Sequence, residues 1–454
     1  MKTVGLRSIV LYILLLAFLG GVGYLGVNLF LHGSEWAMQP YNGHLYAADE
    51  NVSMGTITDR GGNVLAYTDE NGVRLYGYGE TNRRALLHTV GDPWGYISTG
   101  VQNLMGAKLA GYNIVTGLND TPLTHFNRDV ELTVDQPACA AAFTALGGRN
   151  GAVLVYNYKT GEILVKVSAP GFDPEHLPED LNTNEAYNGV FLDNTLSGSF
   201  TPGSIFKLVT AAAAMDLWPD SWSERTYTCS GSENIGGGDI TCLHGNAHGT
   251  QDIFDAMGNS CNVYFARLAN DIGADALERK ARELGFGQSF SFGSAEVKES
   301  TIDLKTANAN QLGWAGVGQY TVLVNPYHML LLAGAAAGGG KAVTPRLTED
   351  LNLFGEIADG EQLMSTSTAS QLKALMRYDV ERYYGDWLFP AGLNVCAKTG
   401  TGEVGENKKP NCWMIGFCDN EQYPYAFAVL VIEGEGGIES AGGVAAAALN
   451  ALVK

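Results

Sequence analysis

The hydrophobic pattern changes character twice along the chain. Residues 9–31 are apolar or glycine apart from Asn28, a run long enough to cross a bilayer as a helix. Residues 32–128 carry only short strand-like runs, 64–67 and 73–78, among glycine and asparagine turns. From residue 130 the apolar runs lengthen. Residues 151–155 and 162–168 flank Asn157-Tyr158-Lys159-Thr160-Gly161, which predicts a strand, a turn and a second strand. Helical stretches follow at 204–217, 253–272, 277–284 and 327–337, then strands at 411–417 and 425–433 and an alanine-rich helix at 441–452. Strands at both ends of this segment with helices between them predict an α+β architecture, one mainly antiparallel sheet flanked by helices.

The expected organisation is a tail (1–7), a transmembrane helix (8–31), a small mixed N-terminal domain (32–129) and a large domain (130–454), because the chain beyond the helix is too long for one core. Lys2 and Arg7 precede the apolar run with no acid between them, which predicts a cytoplasmic N-terminus and an external remainder. A signal peptide would have a shorter apolar core and a small-residue cleavage site. His32-Gly33-Ser34-Glu35-Trp36 offers no such site, so an uncleaved single-pass anchor is expected. Ala17, Gly20, Gly21 and Gly23 are small enough for another helix to approach, with lipid-facing glycines as the alternative.

A net charge of −20 and an isoelectric point near 4.7 argue against nucleic acid and anionic membrane surfaces as partners and suit an acidic ectodomain. The seven cysteines are scattered, with no C-x-x-C pair to suggest zinc or redox catalysis. No metal or organic cofactor is implied. Cys229 and Cys242 bracket Gly236-Gly237-Gly238 and form a candidate disulfide that an oxidising exterior would preserve; two reduced buried thiols are the alternative.

The chemistry concentrates at Thr201-Pro202-Gly203-Ser204-Ile205-Phe206-Lys207, followed by an alanine-rich run. Proline near a helix start and alanines after it predict a helix with a serine in its first turn. Three residues apart, Ser204 and Lys207 share a face, which brings an amine within reach of a hydroxyl. A serine attacks poorly until a neighbouring base takes its proton. S-x-x-K alone is a weak signal, and an N-capping serine beside a solvated lysine explains most such matches. Here Ser260-Cys261-Asn262 and Lys398-Thr399-Gly400-Thr401 follow in order.

The trio S-x-x-K, S-x-N, K-T-G resembles the penicilloyl serine transferase superfamily, and within it the class B penicillin-binding proteins, which are peptidoglycan transpeptidases. Asp59-Arg60-Gly61-Gly62-Asn63-Val64-Leu65-Ala66, Leu132-Thr133-Val134-Asp135 and Pro170-Gly171-Phe172-Asp173-Pro174 are similar to further segments of that family, in the same order. The likeness covers most of the chain after the first fifty residues. It implies a penicillin-binding fold on a shortened N-terminal pedestal of the kind associated with dimerisation. The class A glycosyltransferase motif is absent from the sequence, so a membrane glycan polymerase is an implied partner.

The resemblance also implies roles. Ser204 would be the acyl-accepting nucleophile and Lys207 its base. Ser260 would relay protons between Lys207, Lys398 and the leaving amine. Asn262 would hold the substrate peptide. Lys398, at the head of a strand, would attract a substrate carboxylate with help from the Thr399 and Thr401 hydroxyls, and Gly400 would leave room for substrate backbone. The backbone N–H groups of Ser204 and Thr401 would form the oxyanion hole. Two departures stand out: Gly402, where alanine or serine is usual, would loosen the strand edge, and Asp193-Asn194-Thr195 puts the packing of the segment entering the active-site helix in doubt. Peptidoglycan stem peptides are the implied substrates, and β-lactams the implied covalent inhibitors. A β-lactamase of class A would need a glutamate after the S-x-N motif, whereas Glu179-Asp180-Leu181-Asn182 precedes the nucleophile. A D,D-carboxypeptidase, a non-catalytic scaffold and a β-lactam sensor remain as alternatives.

Overall fold

The computed structural model describes residues 2–37, 54–113, 117–118, 128–348, 360–405 and 408–453. The N-terminal apolar run forms one helix, α1 (Lys2–Ala37). Its Arg7–Leu31 span has mean hydropathy 2.3 and is not buried by the other described residues, and at 1.5 Å per residue it is long enough to cross a membrane. Parts of the expected N-terminal domain, 38–53, 114–116 and 119–127, lie outside the described residues.

The remainder of that domain centres on a four-stranded sheet of β1 (Ile57–Thr58), β2 (Val64–Thr68), β3 (Arg74–Tyr76) and β4 (Val130–Glu131), in the order β3-β2-β1-β4. β4 pairs in parallel with β1, so this sheet crosses the sequence boundary expected between residues 129 and 130. Asp135 then caps α2 (Gln136–Leu146), its carboxylate accepting from the Ala138 N–H.

The large sheet is antiparallel throughout. Its strands are β5 (Gly151–Asn157), β6 (Ile163–Ala169), β7 (Val395–Gly402), β8 (Asn411–Cys418) and β9 (Tyr425–Val431), in the order β7-β8-β9-β5-β6. β8 is buried at every position and β9 at all but its first. Strands apolar on both faces need cover on both, and helices supply it. α3 (Lys207–Leu217), α4 (Asn262–Ile272), α5 (Pro326–Ala337), α6 (Thr366–Asp379) and α7 (Gly443–Leu452) complete the elements that matter for the site. α5 packs on β8 and β9, and α2 and α7 pack on each other beside β6 and β9. This is the α+β arrangement expected.

Three local differences from the sequence reading matter. The stretch 253–272 is two helices, Ile253–Gly258 and α4. Ser260 takes a positive φ of 50° between them, and Cys261 is extended and caps α4, its sulfur accepting from the Tyr264 N–H. The S-x-N motif is therefore a break between helices. α6 was not anticipated, although Ser365 caps it by accepting from the Thr368 N–H. Finally, Asp193 does not disturb the approach to the active-site helix; it organises it. Its carboxylate lies 2.5 Å from Lys166 Nζ with both side chains inaccessible, and accepts from the Thr99 and Thr195 hydroxyls. Burial opposes its charge, but Lys166, with His88 and the Thr195 hydroxyl, more than offsets that and holds its pKa below the usual carboxylate range.

A buried pair of this kind is tolerated only while both partners are present. Asp193→Ala should cost about 3–5 kcal/mol, because it leaves Lys166 charged in the core. The double variant Asp193→Leu/Lys166→Met should recover most of the loss. Denaturant unfolding of the three proteins checks this, and a double variant as unstable as the single one would contradict it.

Candidate active site

Ser204 lies in a single 3-10 turn, Gly203–Phe206, that runs directly into α3. In 3-10 geometry side chains three apart fall on the same side, and Lys207 follows Ser204 at that spacing. The turn is wedged against β7. Gly203 has φ +55°, and a Cβ there would stand 2.2 Å from the Thr401 carbonyl oxygen, so only glycine fits both the conformation and the contact. On the strand side, a Cβ at Gly400 would stand 2.5 Å from the Pro202 oxygen and one at Gly402 2.2 Å from the Thr201 oxygen. The space that a side chain at Gly400 would take is thus filled by the protein's own turn. Gly402 admits the turn instead of loosening the edge. Trp413 Nε1 on β8 donates to the Thr201 oxygen at 3.0 Å and fastens the same junction.

Ser204 is half-buried, while Lys207 and Lys398 have no exposed surface. Lys207 Nζ donates to the Ser260 carbonyl at 2.6 Å and to Asn262 Oδ1 at 2.8 Å, with Ser260 Oγ at 3.3 Å. Phe265 of α4 lies 5.6 Å from the amine, measured to its ring centre. Burial first, and then the charge of Lys398, pull the Lys207 pKa down to about 7. A neutral amine has two N–H groups and one lone pair. The two short bonds use the N–H groups, and the lone pair is left for a hydroxyl proton.

Lys398 lies in the middle of β7, opposite Ile415, and does not head the strand. Its ammonium points inward. It contacts Tyr384 Oη at 3.0 Å, Ser260 Oγ at 3.4 Å and Asp379 Oδ2 at 3.7 Å. Burial opposes its charge, but Tyr384 and Asp379 more than offset it, and its pKa is raised. Burial likewise pushes Asp379 up to about 7, although Lys398 pulls the other way. Thr399 also turns to Tyr384, donating to its oxygen from both N–H and Oγ1 at 3.1 Å. Thr401 remains half-exposed beside the turn.

Seven sequence-predicted residues, Ser204, Lys207, Ser260, Asn262, Lys398, Thr399 and Thr401, therefore gather at one junction of the α3 turn, the helix break and β7. Asn262 is engaged at both ends, since Nδ2 donates to the Thr241 oxygen at 2.9 Å while Oδ1 accepts from Lys207. One donor and one lone pair stay free for a ligand. Asp379 and Tyr384 were missed. They end α6 and the turn after it, and no motif marks them; the capped α6 pattern was the available signal. Cys229 and Cys242 are close, but their sulfurs stand 3.6 Å apart and both are free thiols, well beyond the roughly 2.05 Å of a disulfide. The candidate bridge is therefore not formed.

The arrangement is that of a serine with a desolvated amine one turn on and a second, charged lysine behind it. The penicillin binding protein transpeptidase domain model matches residues 151–454. Peptidoglycan D,D-transpeptidase PbpA of Mycolicibacterium smegmatis is 28% identical over 458 residues, covering 90% of this chain and 90% of that protein. The crystal structure of PbpA from Mycobacterium tuberculosis superposes with a TM-score of 0.75 at 26% identity, covering 88% of this chain and 100% of that one. Its penicillin G acyl-enzyme complex does so with a TM-score of 0.74 at 25% identity, over 88% of this chain and 100% of that one. With its serine, lysines and strand glycines brought to one place and the family model spanning residues 151–454, which carry them all, the chain belongs to the penicillin-binding protein transpeptidase family.

Proposed function

We propose that this chain is a class B peptidoglycan D,D-transpeptidase, anchored by α1 with its N-terminus in the cytoplasm and its catalytic domain outside. The observation that carries the mechanism is the buried Lys207 amine, with both N–H groups anchored and its pKa near 7. Lys207 takes the Ser204 proton as the hydroxyl attacks the carbonyl of a terminal D-Ala-D-Ala bond. The N–H groups of Ser204 and Thr401 face the oxyanion. Ser260 Oγ, in reach of both lysines, passes the proton to the departing D-alanine amine. An amine on a neighbouring stem peptide then attacks the ester, and the same groups run in reverse. Thr401 and the field of Lys398 draw the substrate carboxylate. A glycan polymerase in the same membrane supplies the strands.

This reading sets a transferase apart from a hydrolase. Penicillin should label Ser204 stably and leave Ser204→Ala unlabelled. Release of an acyl group delivered by a thioester should quicken when a D-amino acid or a stem-peptide amine is added. Release that is rapid in water and indifferent to amine would mean a carboxypeptidase.

The pH dependence should follow Lys207. Acylation requires its neutral form, so the rate should rise with pH to a midpoint near 7 and then level off. Lys398→Met removes a positive neighbour and should move the midpoint up by about one unit or more. Asp379→Asn removes a negative one and should move it down. Stopped-flow acylation by penicillin measures all three profiles, and midpoints that move together or not at all would contradict the assignment.

A further inference from the structure

Beneath the S-x-N break lies a second cluster that the acyl-transfer mechanism does not use. Cys229 ends a short strand, Tyr227–Cys229, that pairs antiparallel with Gly249–Gln251. Between them a hairpin, Ser232–Ile235 with Gly238–Thr241, leads into Cys242. His248 precedes the returning strand, and its N–H donates to the Cys229 carbonyl at 3.1 Å. Cys261 reaches the same point from the cap of α4. The three thiols are buried and His248 half-buried, and their ligand atoms all lie within 4.8 Å of one another.

The spacing within the cluster is specific. Cys229 Sγ is 3.6 Å from Cys242 Sγ, Cys242 Sγ is 3.7 Å from Cys261 Sγ, and Cys229 Sγ is 3.5 Å from His248 Nδ1. A tetrahedral zinc ion, with Zn–S about 2.3 Å and Zn–N about 2.0 Å, sets its sulfurs about 3.75 Å apart and sulfur to nitrogen about 3.5 Å. A disulfide would engage two of the three thiols and leave the third, whereas a metal engages all three and the imidazole, whose ligand atoms all lie within 4.8 Å of one another. The sulfurs are also supplied with backbone donors, as bound thiolates are. The Gly231 N–H donates to Cys229 and the Tyr264 N–H to Cys261, each at 3.4 Å.

The geometry points to a structural zinc site formed by Cys229, Cys242, His248 and Cys261, which fastens the catalytic S-x-N loop to the hairpin segment before it. Cys261 sits between Ser260 and Asn262, the two residues that hold the Lys207 amine. Two-stranded ribbons have little core of their own and are marginal without further support, and binding a metal supplies that support while releasing the three thiol protons. The site also fixes a loop whose central residue, Ser260, has the left-handed conformation that non-glycine residues seldom adopt. Sequence spacing hides the site because its four ligands come from two ribbons and a helix cap, with no C-x-x-C pair.

Metal analysis of the full-length protein in detergent tests this without any variant. Protein from zinc-supplemented cells should carry about one zinc per chain, with X-ray absorption showing three sulfurs at about 2.3 Å and one nitrogen at about 2.0–2.1 Å. Cys229→Ser/Cys242→Ser and His248→Ala should lose most of the metal, His248→Cys should restore it, and Cys139→Ser, whose thiol lies in α2, should keep it. Stripping the wild type with a chelator should slow Ser204 acylation by about tenfold or more. Metal-free wild-type protein, a different metal on these ligands, or a Cys229–Cys242 disulfide in non-reducing peptide maps would overturn the zinc assignment. Unchanged acylation after stripping would overturn its hold on the catalytic loop.

Discussion

Two amines and a carboxyl, those of Lys207, Lys398 and Asp379, are buried together with no exposed surface, and such a space does not hold two full positive charges cheaply. Both lysines reach the same Ser260 oxygen, so their nitrogens are less than about 7 Å apart. At an effective dielectric near 20 that repulsion is about 2–3 kcal/mol, or about two pK units. Burial adds to it for Lys207. Lys398 has Tyr384 and Asp379 beside it and keeps its proton. Lys207 has only neutral acceptors in direct hydrogen-bond contact, and it is the one that yields. Asymmetry of neighbours thus loosens one lysine's hold on its proton and leaves the other a fixed charge.

The surrounding structure serves that asymmetry by holding its parts at close range. The serine turn and β7 interlock through positions where no side chain fits, Gly203, Gly400 and Gly402. The helix break presents a carbonyl, a hydroxyl and an amide to one amine, which a continuous helix could not do, since its carbonyl would be spent on its own ladder. The Asp193–Lys166 pair secures the segment leading to the turn.

Much of this was legible in the sequence because chemistry and periodicity coincide there. The antiparallel sheet followed from apolar runs at the two ends of the domain, and the Ser204–Lys207 relation from their spacing at a helix start. What escaped depends on contacts remote along the chain. Asp379 and Tyr384 look ordinary in sequence and matter only because α6 ends beside Lys398. Asp193 reads as a break in the family pattern until Lys166, on β6, is seen to meet it. The inward direction of Lys398 could not be read at all, since strand alternation gives a face but not what lies behind it.

The central claim, that the Lys207 amine gives up its proton near neutral pH, is open to direct titration. In protein labelled with 15N at the lysine side chains, with Lys207→Arg to assign the signal, the Lys207 resonance should titrate with a midpoint near 7. A Lys207 amine that stays protonated up to the usual lysine value of about 10.4 would contradict the account.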